Sequence, residues 1–269
     1  MELRFSPLFS GSSGNAIYVG CGDTHVLVDA GLSGTRIAGE MEKIGVHPSQ
    51  LTAILVTHEH SDHSSGVGVL SRKYHLPVYA TAGTWEGMAA KIGAIETKFR
   101  CEIEPDRDFY LNDLNILTFS TPHDANQPVG LCFECGGARF AIATDIGCPR
   151  KGWMNVVRGA DAVLLESNYD PNMLHAGGYP YELKRRILST RGHLSNDDAG
   201  SCALDFVKNG AKHIILGHLS RENNFPELAR RCCEDALRAG GVTPGEDVRI
   251  DVASRDGLTG IFAVTSDFD

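Results

Sequence analysis

Short apolar or alternating runs at residues 2–8, 16–19 and 24–28, separated by Gly, Ser and Asp, predict three strands joined by tight turns, an antiparallel meander. The period then changes. Ile37, Met41 and Ile44 recur at helical spacing through 33–43, with Gly45 as the stop, and the apolar run 51–56 is expected as a buried strand. Beyond it, helices at 83–92, 196–208 and 226–239 alternate with strands near 115–120, 129–135, 139–143, 162–165 and 213–216. Runs at 248–251 and 259–264 close the chain. Ser195 is placed to cap one of those helices and Pro226 to open another, while Gly210 and Gly240 end them. No repeat, low-complexity tract or long linker interrupts this order. It predicts an α/β fold with two sheets sandwiched between helix layers.

At 269 residues the chain is long enough to bury roughly 70–75% of its extended surface, so one domain over residues 1–269 is expected to need no staples. The longest apolar runs, such as 162–165 and 214–216, fall far short of the ~20 residues of a bilayer span, which predicts no membrane partner. Residues 1–5 have no basic-then-apolar leader, so a cytoplasmic location is expected, with the eight cysteines as thiols. Cys132 and Cys135 form a C-x-x-C, but within a strand residues three apart point to opposite faces, which argues against a shared metal or redox role. The net charge of −9 argues against coating nucleic acid through overall charge, though it leaves room for a local basic groove.

The chemistry concentrates in Thr57-His58-Glu59-His60-Ser61-Asp62-His63, directly after the predicted buried strand. In an extended segment His58, His60 and Asp62 share a face, while His63 enters the following helix. One short turn can thus feed two adjacent metal ions. Imidazoles and a carboxylate suit zinc, manganese or iron, and sites that hydrolyse with two metals keep them ~3.5–4 Å apart. Three further donors, His123, Asp145 and His218, follow apolar strands, and strand ends are where layered α/β folds gather active-site groups.

These residues resemble the metallo-β-lactamase superfamily, in which T-H-x-H-x-D-H opens a dinuclear site in an αββα sandwich. The resemblance implies His58, His60 and His123 on one metal, Asp62, His63 and His218 on the other, and Asp145 bridging; spacing alone does not say which ion each residue holds. His60 stands where the flavodiiron branch has glutamate, and Asp145 where true β-lactamases have cysteine, so neither activity is expected.

Segments 160–166 (ADAVLLE), 192–195 (GHLS) and 216–221 (LGHLSR) look like those of tRNase Z and related phosphodiesterases. That likeness implies His193 as a non-ligand histidine that contacts the scissile phosphate and donates a proton, oriented by Glu166. Together with 9–15 (FSGSSGN) and 218–224 (HLSRENN), they make the chain resemble the bacterial YycJ/WalJ group over nearly its whole length. The group implies a metal-dependent exonuclease acting on DNA from the 5′ end, DNA being favoured over RNA as substrate. Its cofactors would be two divalent ions, zinc or manganese first and iron as a further option. Asp62 is expected to accept a hydrogen bond from the nucleophile as well as to ligate. Asp145 and His218 lie 73 positions apart, too close for the extra domain of the RNase J and Artemis type, and the long Gly-rich arm of tRNase Z is missing.

Several features stay open at this level. The Gly-Ser run 11–15 is either a phosphate-binding nest or an ordinary turn. Lys184, Arg185, Arg186, Arg191 and Arg221 either steer phosphates or form a solvated face. Asp29 is expected to hold a ligand histidine through its other ring nitrogen. His25, His47, His75 and His213 are expected at the surface or strand edges, and His175 either there or on a lid. Two rival functions share the donor set: a small-molecule hydrolase, such as a cyclic phosphodiesterase or glyoxalase II-like thioesterase, and a non-catalytic metal-binding protein.

Overall fold

The expected meander opens the computed structural model, which describes residues 2–265. Strands β1 (Leu3–Phe9), β2 (Ala16–Cys21) and β3 (Thr24–Val28) pair antiparallel in sequence. The chain then crosses over three times through helices, so that β4 (Ala53–Leu55), β5 (Val78–Ala80) and β6 (Arg100–Glu102) add in parallel beside β3. The second sheet repeats the plan. Strands β7 (Asp108–Leu111), β8 (Leu114–Ser120), β9 (Val129–Cys135) and β10 (Ala138–Ala143) run antiparallel, and β11 (Ala162–Glu166), β12 (His213–Gly217) and β13 (Arg249–Val252) follow in parallel. The last strand, β14 (Phe262–Val264), returns to the free edge of β1. Two seven-stranded mixed sheets result.

The crossovers form the outer layers. Helices α1 (Gly34–Lys43), α2 (Ser61–Ser64), α3 (Val67–Tyr74) and α4 (Ala82–Ile92) belong to the first sheet. Those of the second are α5 (Lys151–Val157), α6 (Pro171–Ala176), α7 (Tyr181–Ile187), α8 (Asn196–Lys208) and α9 (Pro226–Ala239). Ser195 caps α8 by accepting from Asp198 N–H, as its place before an apolar-periodic run predicts. The inner sheet faces meet in one apolar layer in which Phe5 stacks on Phe140 with ring centroids 3.9 Å apart. Two further cores lie beneath the helices.

Some boundaries differ from expectation for local reasons. The strand expected over 51–56 keeps only Ala53–Leu55: Leu51 is spent closing the helical turn Pro48–Gln50, and beyond Val56 the N–H of Thr57 is taken by the Asp29 carboxylate. The last strand starts late, at Phe262, since Thr259 ties back to Pro7 and Ser254. Cys132 and Cys135 do face opposite sides of β9, in separate cores. Cys135 is nevertheless disulfide-bonded to Cys21 on β2, with Cα atoms 6.6 Å apart, so two of the eight cysteines are not thiols. Their strands face each other across the sandwich, a proximity that a sequence separation of 114 conceals. Among the described residues, no helix is long and apolar enough to cross a membrane.

Candidate metal centre

Every donor named from the sequence arrives at the same rim, where the strands of both sheets end. Asp29 follows β3, residues 57–63 follow β4, His123 follows β8, Asp145 follows β10 and His218 follows β12. Asp29, Asp145 and His218 each turn sharply there, with φ of 59°, 57° and 54°, in the left-handed region that few non-glycine residues adopt and that Asp and His tolerate better than most. Strand alternation governs only the start of the histidine segment. His60 is extended, but Ser61–Ser64 forms a helical turn, so Asp62 joins His63 instead of sharing a face with His58.

Two of the resulting groups are His58, His60 and His123, and Asp62, His63 and His218, each with its donor atoms within 4.8 Å of one another; by the same measure Asp145 also groups with His58 and His63, and with Glu166, His193 and His218. In the first, His58 Nε2 lies 3.0 Å from His60 Nδ1, which lies 3.3 Å from His123 Nε2. A tetrahedral ion with metal–nitrogen bonds of ~2.0–2.1 Å would space its ligand nitrogens by about 3.3 Å. In the second, Asp62 Oδ2 stands 3.6 Å from His63 Nε2 and 3.8 Å from His218 Nε2. Asp145 lies between, Oδ1 3.7 Å from His123 Nε2 and Oδ2 3.3 Å from His63 Nε2. Ring nitrogens that face one another in a buried cluster are satisfied by a cation, so the donors fit a pair of divalent ions.

Outer contacts fix the rings. Asp29 Oδ2 binds His63 Nδ1 at 2.7 Å, and its other oxygen accepts from Thr57 N–H at 2.8 Å. Such a partner sets the tautomer and raises ligand basicity, so Asp29→Ala is expected to weaken metal affinity by roughly 10- to 100-fold. Chelator competition would measure it, and an unchanged affinity would strip Asp29 of the role. The Gly192 carbonyl lies 3.1 Å from His123 Nδ1. Asn15 grips the histidine loop: its N–H donates to the Asp62 carbonyl at 2.8 Å and its amide nitrogen lies 3.0 Å from His63 Nε2. Beside it, a Cβ on Gly31 would sit 1.6 Å from the Asp62 carbonyl oxygen, so only glycine permits this approach.

His193 belongs to neither of the two histidine-rich groups and neighbours Asp145, Glu166 and His218 instead. Its Nδ1 is 2.8 Å from Glu166 Oε1, while Glu166 Oε2 accepts the N–H groups of Leu194 and Ile146 at 2.9 and 3.0 Å. Glu166 is fully buried and thereby fixed. The ring stays partly exposed and lines the cleft together with His60, Asp62, Asp145 and His218.

Charge in the cluster is strongly coupled. Burial lowers His58 well below the usual histidine range and also lowers His123. Burial acts the same way on His63 and His218, but the carboxylates around them, Asp145 foremost, outweigh it and raise these rings to about 10 and about 9. Asp145 in turn is held well below the usual carboxylate range, since His218 and His63 outweigh its burial.

The expected basic cluster is largely committed elsewhere. Arg186 forms a two-pronged ion pair with Asp124, next to His123, and Arg191 Nε donates to the His123 carbonyl at 3.0 Å. Arg185 pairs with Glu182, and Lys184 donates to the His175 carbonyl. Arg221 remains exposed. Lys91 of α4 lines the cleft as well as Arg186, and nothing near the donor motif signals it in the sequence. In the 11–15 run the chain turns at Ser12–Ser13, and the N–H groups of Gly11, Gly14 and Asn15 are spent within the protein. His213 is buried against Asp251 on β13, and His175 is exposed outside the cleft.

The model of the Metallo-beta-lactamase superfamily matches residues 10–218. Exodeoxyribonuclease YycJ of Bacillus anthracis is 42% identical over 252 residues, 93% of this chain and 95% of that protein. Exodeoxyribonuclease WalJ of Streptococcus pneumoniae is 39% identical over 259 residues, 96% of either chain. Among solved structures, the metallo-beta-lactamase fold protein YhfI of Bacillus subtilis superposes with a TM-score of 0.75 over 98% of this chain and 100% of its own, at 15% identity.

Proposed function

The chain belongs to the metallo-β-lactamase superfamily, and from that premise we propose that it is a two-metal exodeoxyribonuclease that shortens DNA from the 5′ end. The observation that carries this reading is the His193–Glu166 pair above two donor groups, in a chain co-extensive with exodeoxyribonucleases.

His58, His60 and His123 would hold one ion, Asp62, His63 and His218 the other, and Asp145 would face both. When bound, zinc or manganese supplies charge neutralisation at phosphoryl oxygens and makes water acidic enough to attack near neutral pH. The protein's own groups do the rest. Asp62, a quarter exposed at the cleft, accepts a hydrogen bond from the attacking water. His193 carries the proton for the departing oxygen on Nε2, since Nδ1 is engaged, and the Glu166 carboxylate balances the ring's charge while it does so. Lys91 attracts the strand. Lys91→Ala is expected to raise KM for DNA several-fold at low ionic strength with kcat unchanged, and to reduce the salt slope by about 1. Steady-state kinetics at two salt concentrations would check it.

The test uses end-labelled single- and double-stranded DNA and RNA with the manganese- or zinc-loaded protein, and Asp62→Ala and His193→Ala as controls. Stepwise shortening of DNA from the 5′ end by the wild type alone is expected. No cleavage by protein holding two ions per chain would overturn the reading in favour of a small ester or cyclic phosphodiester substrate.

A further inference from the structure

Beside the metal cleft lies a second cavity of about 150 Å³ that shares Ser12, Arg186 and His193 with it. One wall is apolar: Tyr179, Leu183 and Ile187, from α7 and the loop before it. These side chains belong to a small cluster with Tyr169 and Leu174, separate from the three main cores. Segment 171–188 thus turns apolar surface toward this space in addition to packing on itself. The other side is polar, from Ser12, Asn168 and Ser220.

Size and charge narrow the occupant. Sites that enclose a whole small ligand measure roughly 300–1,000 Å³, so this cavity takes one part of a substrate whose reacting part lies in the cleft. Arg186, the cation in its lining, is already held by both oxygens of Asp124, which disfavours a phosphate. An aromatic ring, two aliphatic side chains and a few neutral polar groups suit a nucleobase, whose faces stack and whose edges hydrogen-bond.

We propose that this cavity binds the base of the terminal nucleoside, stacked on Tyr179; the assignment rests on the exodeoxyribonuclease reading. His193 stands between the two spaces, and this decides which nucleoside is meant. In the reaction the water oxygen bonds to phosphorus, the bond from phosphorus to O3′ breaks, and His193 protonates O3′. The water's surplus proton passes to solvent. The nucleoside carrying O3′ is the one on the His193 side, which for trimming from the 5′ end is the terminal one. It leaves with a 3′ hydroxyl, and the shortened strand keeps a 5′ phosphate.

The test compares kcat/KM on a DNA end carrying a normal 5′-terminal nucleotide with the same end made abasic by a tetrahydrofuran residue. Metal content is measured for every variant. Losing one base–aromatic stack predicts a roughly 5- to 100-fold lower rate for wild type on the abasic end. Tyr179→Ala should lose a similar factor on the normal end and little more on the abasic end, whereas Tyr179→Phe, which keeps the ring, should retain the preference. Equal wild-type rates on both ends, or equal losses on both in Tyr179→Ala, would overturn the pocket assignment alone. No shortening of either end by the two-ion protein would overturn the exodeoxyribonuclease reading and the assignment with it.

Discussion

Replacing His193 by alanine is expected to lower turnover on DNA by about 10²- to 10⁴-fold, the usual range for a positioned general acid, with two ions still bound. The expectation has two independent supports. None of the six residues in the two donor groups relies on the His193 side chain, whose ring nitrogen is engaged by Glu166 instead. The neighbouring Gly192 carbonyl, which orients His123, is backbone and survives the substitution. A diagnostic follows from the leaving group. An alkoxide leaves poorly without a proton, whereas 4-nitrophenolate needs none, so the deficit should shrink markedly on a nitrophenyl ester of thymidine 5′-phosphate. A variant equally impaired on both substrates would place His193 outside proton transfer. Full activity on DNA would remove it from the mechanism.

What the sequence made legible followed from how local each signal is. The segment from His58 to His63 packs four donors into six positions, and the other three sit where apolar runs stop, so the donors could be named before any tertiary contact was known. The sheets were similarly visible, because β9, β10, β11 and β12 are almost wholly buried and hence mainly apolar, while β8 alternates. The edge strands β6 and β7 are half exposed and carry Arg, Glu and Asp, which erases the pattern. Helix α3 ends on His75 in a left-handed conformation where no glycine marks the stop. Helices α6 and α7 are too short for a period and bury only a satellite cluster. Relations across the chain were the least legible. Arg186 and Arg191 sit within a basic run, but their partners lie more than sixty positions away, at Asp124 and His123. Lys91 reaches the cleft only because α4 packs beside the histidine loop.

Asp145→Asn is expected to reduce the metal content from two ions to at most one and to lower activity by more than about 10³-fold, beyond the roughly 10- to 100-fold typical of losing an outer partner. The substitution isolates charge and polarity. Asparagine has nearly the shape of aspartate and tolerates the left-handed backbone at φ 57°, so the turn after β10 is preserved. The carboxylate offers acceptors in both directions: Oδ2 lies 2.9 Å from His218 Nδ1 and 3.3 Å from His63 Nε2, and Oδ1 faces His123 Nε2 at 3.7 Å. An amide offers one oxygen and one NH₂. Whichever way it turns, one group would meet N–H donors where a cation needs a lone pair, and two cations held together would lose the anion between them. Elemental analysis of the purified variant would report the stoichiometry directly. Two ions bound at wild-type affinity would show that the groups assemble without Asp145, and would leave it a partner of His218 alone.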